Sequence, residues 1–318
     1  MTQHRLTNTN HRPGASKTFL LLAVFLTALP LTASPQAGDL PPELPLWKKP
    51  PEGASRIDIK EKVRVHKTPG SPTGMNRAFS SVSKPTYTIH RPAKPNGVGL
   101  VICPGGGFRD IWIDREGHDL AIWLKKYGVT SLVLKYRTRP GDLSTPNAWP
   151  NYLLAVRSDA MQAIRILRTG ASKLGLKTGK IGICGFSAGG HLALNTALHT
   201  EPKLAKDEVS GMPNFAGLFY PGIPKGAAET LAGRTASGVC PMFIVNARVD
   251  RLTPAEKCVD FYAKLLKAGV NAELHIFSKG SHGFGMGSGA GKSKALWTTS
   301  FIAWLSDSGM IPKQGNIE

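Results

Sequence analysis

The chain has 318 residues, 41% of them hydrophobic, and a formal net charge of +19 at neutral pH. That length supports one large α/β domain with a sizeable core, and the composition is that of an ordinary globular protein. So basic a chain adheres to anionic surfaces such as cell wall, acidic polysaccharide or nucleic acid. No zinc spacing, aromatic RNP-type motif or phosphate loop accompanies the charge, so neither nucleic acid nor a metal or other cofactor is expected.

Arg5, Arg12 and Lys17 precede an apolar run from Phe19 to Leu31, and no acidic residue comes before Asp39. Small residues follow, in Leu31-Thr32-Ala33 and Pro35-Gln36-Ala37. This reads as a secretory signal peptide over residues 1–37, which implies a secreted or periplasmic protein. The run is short for a membrane span, so the mature form is expected to lack an integral membrane segment; an uncleaved anchor is the alternative. Removing residues 1–37 takes away those three positive charges and no negative one, which lowers the net charge from +19 to +16.

Residues 38–55 carry Pro41, Pro42, Pro45, Pro50 and Pro51 and are expected to be a linker or extended arm. The rest, 56–318, reads as one domain. Ile57, Ile59, Val63 and Val65 alternate with polar residues, as on an edge strand. Strands are expected at Tyr87–His90 and at Gly97–Cys103, the latter apolar throughout, as for a strand buried on both faces. Helix and strand then alternate. Helices are expected at Glu116–Lys126, Tyr152–Arg168, directly after Ser187, at Pro254–Ala268 and at Ser293–Leu305. Strands are expected at Thr130–Tyr136, Lys180–Cys184, Phe215–Tyr220, Pro241–Val245 and Ala272–Phe277. The pattern predicts a mostly parallel sheet with helices on both faces and a site at the carboxyl ends of its strands.

One stretch carries chemistry on its face. Ile181-Gly182-Ile183-Cys184 runs into Gly185-Phe186-Ser187-Ala188-Gly189, and a helical pattern begins at once. A serine on so sharp a strand-to-helix turn is held in strained geometry over a helix N-terminus, where negative charge is favoured. A serine nucleophile needs a base, and the base needs an orienting carboxylate. Asp250 follows the strand at 241–245, and His282, in Gly280-Ser281-His282-Gly283, follows the strand at 272–277. The neighbouring glycines are expected to leave the imidazole mobile and exposed. Separately, Asp250 reads equally as a helix cap and His282 as a loop histidine; in the order Ser, Asp, His at strand ends they read as a triad.

Acyl transfer also needs an oxyanion hole. Pro104-Gly105-Gly106-Gly107-Phe108 follows the strand ending at Cys103, and its consecutive glycines let backbone N–H groups turn inward. The hole is assigned to Gly106 or Gly107 together with Ala188. Phe108 and Trp149 are assigned to substrate binding, with Trp112 as a second indole for stacking on a sugar. His191 is expected to fix the elbow by a hydrogen bond, Glu116 and His118 to cap or orient the glycine loop, and Asp159 to pair with Arg137. Cys103, Cys184, Cys240 and Cys258 are read as free buried thiols, since their spacing gives no pairing.

Cys-Pro-Gly-Gly-Gly-Phe at 103–108, Glu-Gly-His-Asp-Leu-Ala at 116–121, Leu-Lys-Tyr-Arg at 134–137, Gly-Phe-Ser-Ala-Gly-Gly-His-Leu-Ala at 185–193 and Gly-Ser-His-Gly-Phe at 280–284 together resemble the α/β-hydrolase fold. The likeness, over about residues 85–307, is to secreted bacterial esterases of the acetyl-xylan-esterase and xylanase-associated type. It implies a serine esterase acting on short acyl esters of a carbohydrate, with an acetylated polysaccharide as partner. Thr138–Pro150 looks expanded relative to that family. A general carboxylesterase and a prolyl-oligopeptidase-like peptidase share this core, though residues 38–85 are too few for the peptidases' propeller. A non-catalytic wall-binding relative is a further alternative. The segment between Tyr220 and Pro241 is short for a cap, so a minimal cap is expected.

Overall fold

The computed structural model describes residues 40–49, 60–139, 146–201, 208–231, 238–287 and 296–312, with isolated positions at 141, 144 and 205. The expected signal peptide, residues 38, 39 and 50–55 of the expected linker, Ile57 and Ile59 lie outside them. The described residues belong to one unit within Ser34–Glu318.

The strands are β1 (Glu43–Pro45), β2 (Lys62–Lys67), β3 (Met75–Ser80), β4 (Thr86–His90), β5 (Gly97–Cys103), β6 (Asp110–Trp112), β7 (Thr130–Lys135), β8 (Leu176–Phe186), β9 (Ala216–Phe219), β10 (Met242–Ala247) and β11 (Ala272–Phe277). The helices are α1 (Asp119–Leu124), α2 (Ala148–Thr169), α3 (Ala171–Leu174), α4 (Ala188–Ala197), α5 (Ala227–Leu231), α6 (Ala255–Lys267) and α7 (Trp297–Asp307). An eight-stranded sheet runs β1-β4-β7-β5-β8-β9-β10-β11. From β7 to β11 neighbouring strands are parallel, while β1 and β4 are antiparallel.

Burial explains the sequence pattern. Every residue of β5, β7, β9 and β10 is buried; β5 and β9 accordingly read as unbroken apolar runs, while β7 and β10 bury Thr130, Ser131, Lys135 and Asn246 among their apolar residues. β11, at the sheet edge, is only partly covered. Phe301 and Trp297 of α7 pack on Phe219, their ring centroids 5.4 and 4.2 Å away. Among the described residues no helix is long and apolar enough to cross a membrane.

Four expectations are refined, the first being the choice between linker and extended arm left open for residues 38–55. The proline-rich arm is docked at 43–47: β1 pairs with β4, Leu46 is buried, and Trp47 Nε1 donates to Asp159 at 2.9 Å. The helix expected at 116–126 is α1 flanked by a π-helical turn (Asp114–His118) and a 3₁₀ turn (Lys125–Tyr127). The loop expected over Thr138–Pro150 ends early, because α2 starts at Ala148 and tolerates Pro150 in its first turn, where an N–H has no helical partner anyway; positions 140, 142, 143 and 145 lie outside the described residues. The fourth concerns the edge strand expected from Val63 and Val65: it is β2, and it stands at the edge of a separate small sheet, β2-β3-β6, antiparallel throughout, whose other strands periodicity does not announce. β6 follows the glycine loop within a few residues, so this small sheet flanks the carboxyl end of β5. Between β9 and β10, α5 is the described helix, and 232–237 lie outside the described residues.

Candidate active site

Ser187 sits between β8 and α4 with φ 52° and ψ −115°, a left-handed conformation that a side chain adopts only under constraint. The constraint is close packing. A Cβ on Gly189 would stand 2.0 Å from the carbonyl oxygen of Cys103, so the first turn of α4 lies directly on the end of β5. The Ser187 amide donates to Phe219 O at 3.0 Å, which ties the elbow to the next strand.

The serine, histidine and aspartate meet. His282 Nε2 lies 2.8 Å from Ser187 Oγ, and its Nδ1 lies 2.8 Å from Asp250 Oδ2. Asp250 is buried, and the amides of Leu252 and Thr253 donate to its Oδ1, each at 2.9 Å. It does close a turn before α6, but the same carboxylate faces the histidine. Burial alone would raise the Asp250 carboxyl; hydrogen bonds from His282 and Thr253 outweigh it and hold the group below its ordinary value. Thr253 Oγ1 stands 2.8 Å from Asp250 Oδ2 and 3.1 Å from His282 Nδ1. The imidazole is less free than its glycine neighbours suggest. Its side chain is 17% exposed, and the Tyr220 ring packs edge-on against it, 5.1 Å between centroids.

The glycine loop crosses in front of the serine. Gly106 has φ 136°, and a Cβ there would fall 2.0 Å from Asp110 O, so only glycine fits the turn. Tyr136 donates to Pro104 O at 2.7 Å, and the Gly105 amide donates to Glu116 Oε2 at 2.7 Å. Among the described residues, the amides of Gly106, Gly107 and Ala188 have no protein acceptor.

These groups open on a cavity of 820 Å³. Gly106, Gly107, Phe108, Ser187, Ala188 and His282 line it, as do Trp112 and four arginines, Arg64, Arg109, Arg115 and Arg139. Trp149 does not. It stands in the first turn of α2 behind Phe108, 5.6 Å between centroids, and supports that ring instead of facing the cavity. His191 also departs from expectation. Its Nε2 is buried with no hydrogen-bond partner among the described residues, its ring packs on Phe108, and burial pushes its value down to about 4. His118 is turned away from the loop and meets His90, Nδ1 to Nε2, at 2.9 Å. Asp159 does pair with Arg137, whose Nε donates at 2.8 Å. The four cysteines are free.

Sequence reading overlooks Tyr220 and Thr253. Both stand at strand or helix ends without a motif, and their partners are distant in the chain. The one available signal is position, since each closely follows a buried strand at the end where sites form.

The sheet order, the elbow and the succession of Ser187, Asp250 and His282 after β8, β10 and β11 define an α/β-hydrolase. A sequence profile of the dienelactone hydrolase family matches residues 140–304, just over half of the chain, and the chain belongs to that family. An acetylxylan esterase of Xylanibacter ruminicola is 31% identical over 235 residues, 66% of this chain and 45% of that protein. Endo-1,4-beta-xylanase B of Butyrivibrio fibrisolvens is 26% identical over 211 residues, 58% of this chain and 32% of that protein. The chain therefore matches less than half the length of each of these curated relatives. The crystal structure of an acetyl ester-xyloside bifunctional hydrolase from Caldicellulosiruptor lactoaceticus superposes with a TM-score of 0.64 at 26% identity, covering 86% of this chain and 99% of that one.

Proposed function

We propose that the protein is a serine esterase that removes short acyl groups, acetyl above all, from a carbohydrate. One observation carries the reading: the unbroken chain from Ser187 Oγ through His282 to Asp250, with both contacts at 2.8 Å, on a cavity lined by the Gly106, Gly107 and Ala188 backbone. Ser187 Oγ attacks the ester carbonyl as His282 Nε2 takes its proton. The negative oxygen of the tetrahedral intermediate is met by the Ala188 amide and that of Gly106 or Gly107. Collapse breaks the ester C–O bond, and the alkoxide leaves with the proton from His282. Water then attacks the acyl-serine in the same way, freeing the acid and restoring Ser187. Asp250 holds His282 in the tautomer that accepts at Nε2 and stabilises the imidazolium between the two transfers.

Two circumstances favour a short acyl group on a bulky alcohol. The segment between β9 and β10 is short, which leaves little chain to enclose a long acyl tail. The relatives named above include an acetylxylan esterase and a xylanase. Residues 1–37 suit an exported protein that would meet polysaccharide outside the cell. The test is kcat/KM on aryl acetate against aryl octanoate, with acetate release from acetylated xylan. Each methylene contact is worth at most about 1 kcal/mol, so the expected preference for acetate is graded. Preference for octanoate with no release from the polymer overturns the substrate assignment.

A further inference from the structure

The walls of the cavity carry more positive charge than the catalytic chemistry uses. Arg64 and Arg109 share a single carboxylate, Asp110, at 2.9 and 3.2 Å. Arg115 donates to the Gly283 carbonyl, next to His282. Arg139 is anchored through its backbone, its amide donating to Phe108 O at 2.7 Å. Among the described residues no carboxylate pairs with the Arg115 or Arg139 side chain. Glu116, the other acid on the wall, is engaged by the Gly105 amide and the Tyr220 hydroxyl. Among the described residues that line the opening, four guanidinium groups thus face two carboxyl groups, Asp110 and Glu116. Such a surplus inside a concave wall concentrates anions, because low-dielectric sides focus the field.

The distribution says which part of the substrate is negative. His282 returns its proton to the departing alcohol, so the alcohol lies on the histidine side of Ser187. Arg115, tied to Gly283, stands on that side. The small sheet extends the wall further. Trp112 of β6 lines the cavity, with the Arg64 guanidinium 6.0 Å from its ring centroid and the His66 ring 5.8 Å away. An indole beside a guanidinium offers a stacking surface for a sugar ring and a charge partner for a carboxylate on that ring. Arg64 is half exposed, and its buried partner Asp110 keeps Arg109 at 3.2 Å when Arg64 turns to another carboxylate. The sequence is consistent with this, since the whole chain is strongly basic.

We propose that the ester cleaved at Ser187 is carried on an acidic sugar chain, and that Arg64, Arg115 and Arg139 with Trp112 receive a uronate residue at or next to the acylated one. This rests on the esterase reading above and specifies its alcohol. The uronate carboxylate replaces water at the guanidinium groups, which are already desolvated in part, and fixes the acylated hydroxyl between Ser187 and His282.

The experiment compares an O-acetylated methyl glucuronoside with the matching O-acetylated methyl glucoside, alongside aryl acetate, for the wild type and for Arg64→Gln/Arg139→Gln. The wild type is expected to favour the acidic sugar by about tenfold or more in kcat/KM at low ionic strength, and the preference is expected to shrink as salt rises. The double variant is expected to lower the acid-to-neutral ratio by about tenfold. Equal kcat/KM for the two sugars, or a ratio that the double substitution leaves unchanged, overturns the proposal and leaves the esterase reading standing. Absence of aryl acetate hydrolysis by the wild type overturns the esterase reading, and this proposal with it.

Discussion

The Tyr220 hydroxyl donates to Glu116 Oε1 at 2.7 Å, and both groups are buried. Around this pair the histidine loop and the glycine loop of the site are joined. The Gly285 amide, three residues past His282, donates to the Tyr220 oxygen at 3.0 Å. On the other side Glu116 Oε2 accepts the Gly105 amide of the glycine loop. Burial raises the Glu116 carboxyl above its ordinary value even against those two hydrogen bonds, and burial likewise raises the Tyr220 phenol well above its own. A polar chain in so dry a place holds its geometry because each link would be costly to break.

Tyr220→Phe removes one oxygen from that chain. It leaves the Gly285 N–H without an acceptor and Glu116 Oε1 without a donor. The expected cost is about 2 kcal/mol of stability, the range for orphaning buried polar groups. Turnover should fall about tenfold with KM little changed, since both loops lose a shared reference point while the substrate walls stay in place. Urea unfolding and steady-state kinetics on aryl acetate check both. A variant with wild-type kcat would mean the loops are positioned by other contacts.

Ser187→Ala should lower kcat at least about a thousandfold, the usual scale for losing a nucleophile. Stability should hardly move, because the backbone strain at φ 52° is the same for alanine and the hydroxyl's partner is the partly exposed His282. A fluorophosphonate probe should label the wild type at this residue and leave the variant unlabelled. Retention of more than about a tenth of the turnover would remove Ser187 from the role assigned to it.

Much of this site is legible in the chain, for physical reasons that differ by residue. Ser187 is visible because the elbow demands small residues around it, and Gly189 records the contact with Cys103. Asp250 and His282 are visible because parallel strands deliver loops to one edge, so order along the chain becomes position in space. Glu116 is legible as a partner of the glycine loop, whose Gly105 amide it accepts, but its link to Tyr220 is hidden: the two are 104 residues apart in sequence, and a hydrogen bond between two buried side chains leaves no local pattern. The sheet of β2, β3 and β6 is hidden too. Val63 and Val65 do alternate with polar residues and mark β2 as an edge strand, but β2 is exposed along its length, so the alternation does not show which strands it joins. Trp149 is ambiguous in the sequence, because an indole near a strand end can face a cavity or back its wall, and only the position of Phe108 decides.

Asp250→Asn tests the orienting carboxylate. The amide can still accept from the Leu252 and Thr253 backbone, so the turn before α6 should survive. It can instead donate to His282 Nδ1, which favours the tautomer carrying its proton on Nε2, and that nitrogen then cannot take the proton of Ser187. The expected loss in kcat is on the order of ten-thousandfold, with substrate binding nearly unchanged. Pre-steady-state acylation is the measurement, because it isolates the first proton transfer. A loss of less than about tenfold would mean that the Thr253 hydroxyl, 3.1 Å from the same nitrogen, suffices to hold the ring.

Acid should unfold the protein partly through His90 and His118. The rings share one hydrogen between Nε2 and Nδ1 at 2.9 Å, so one donates and the other accepts, and both are neutral. Burial is the main cause that lowers each from 6.5 to about 3; the charge on the partner ring adds to it for His90, and Arg77 adds to it for His118. The sign follows from proton counts. Between pH 6.5 and 3 the unfolded chain binds protons that the folded pair refuses, so stability rises with pH there. The contribution is fully present above about 6.5 and drains away as pH falls toward about 3. By pH 5 the loss is on the order of 2 kcal/mol per histidine. Asp250, held low by His282 and Thr253 against the opposing effect of burial, acts in the same direction at lower pH, so some slope remains in any variant. Replacing both rings, His90→Leu with His118→Leu, removes donor and acceptor together and leaves neither orphaned. Unfolding free energies from urea titrations at pH 7.5 and pH 5 should differ by about 4 kcal/mol less in the double variant than in the wild type. An unchanged difference would place the acid sensitivity elsewhere, because a packing change from the leucines shifts stability at both pH values alike and cancels in the difference.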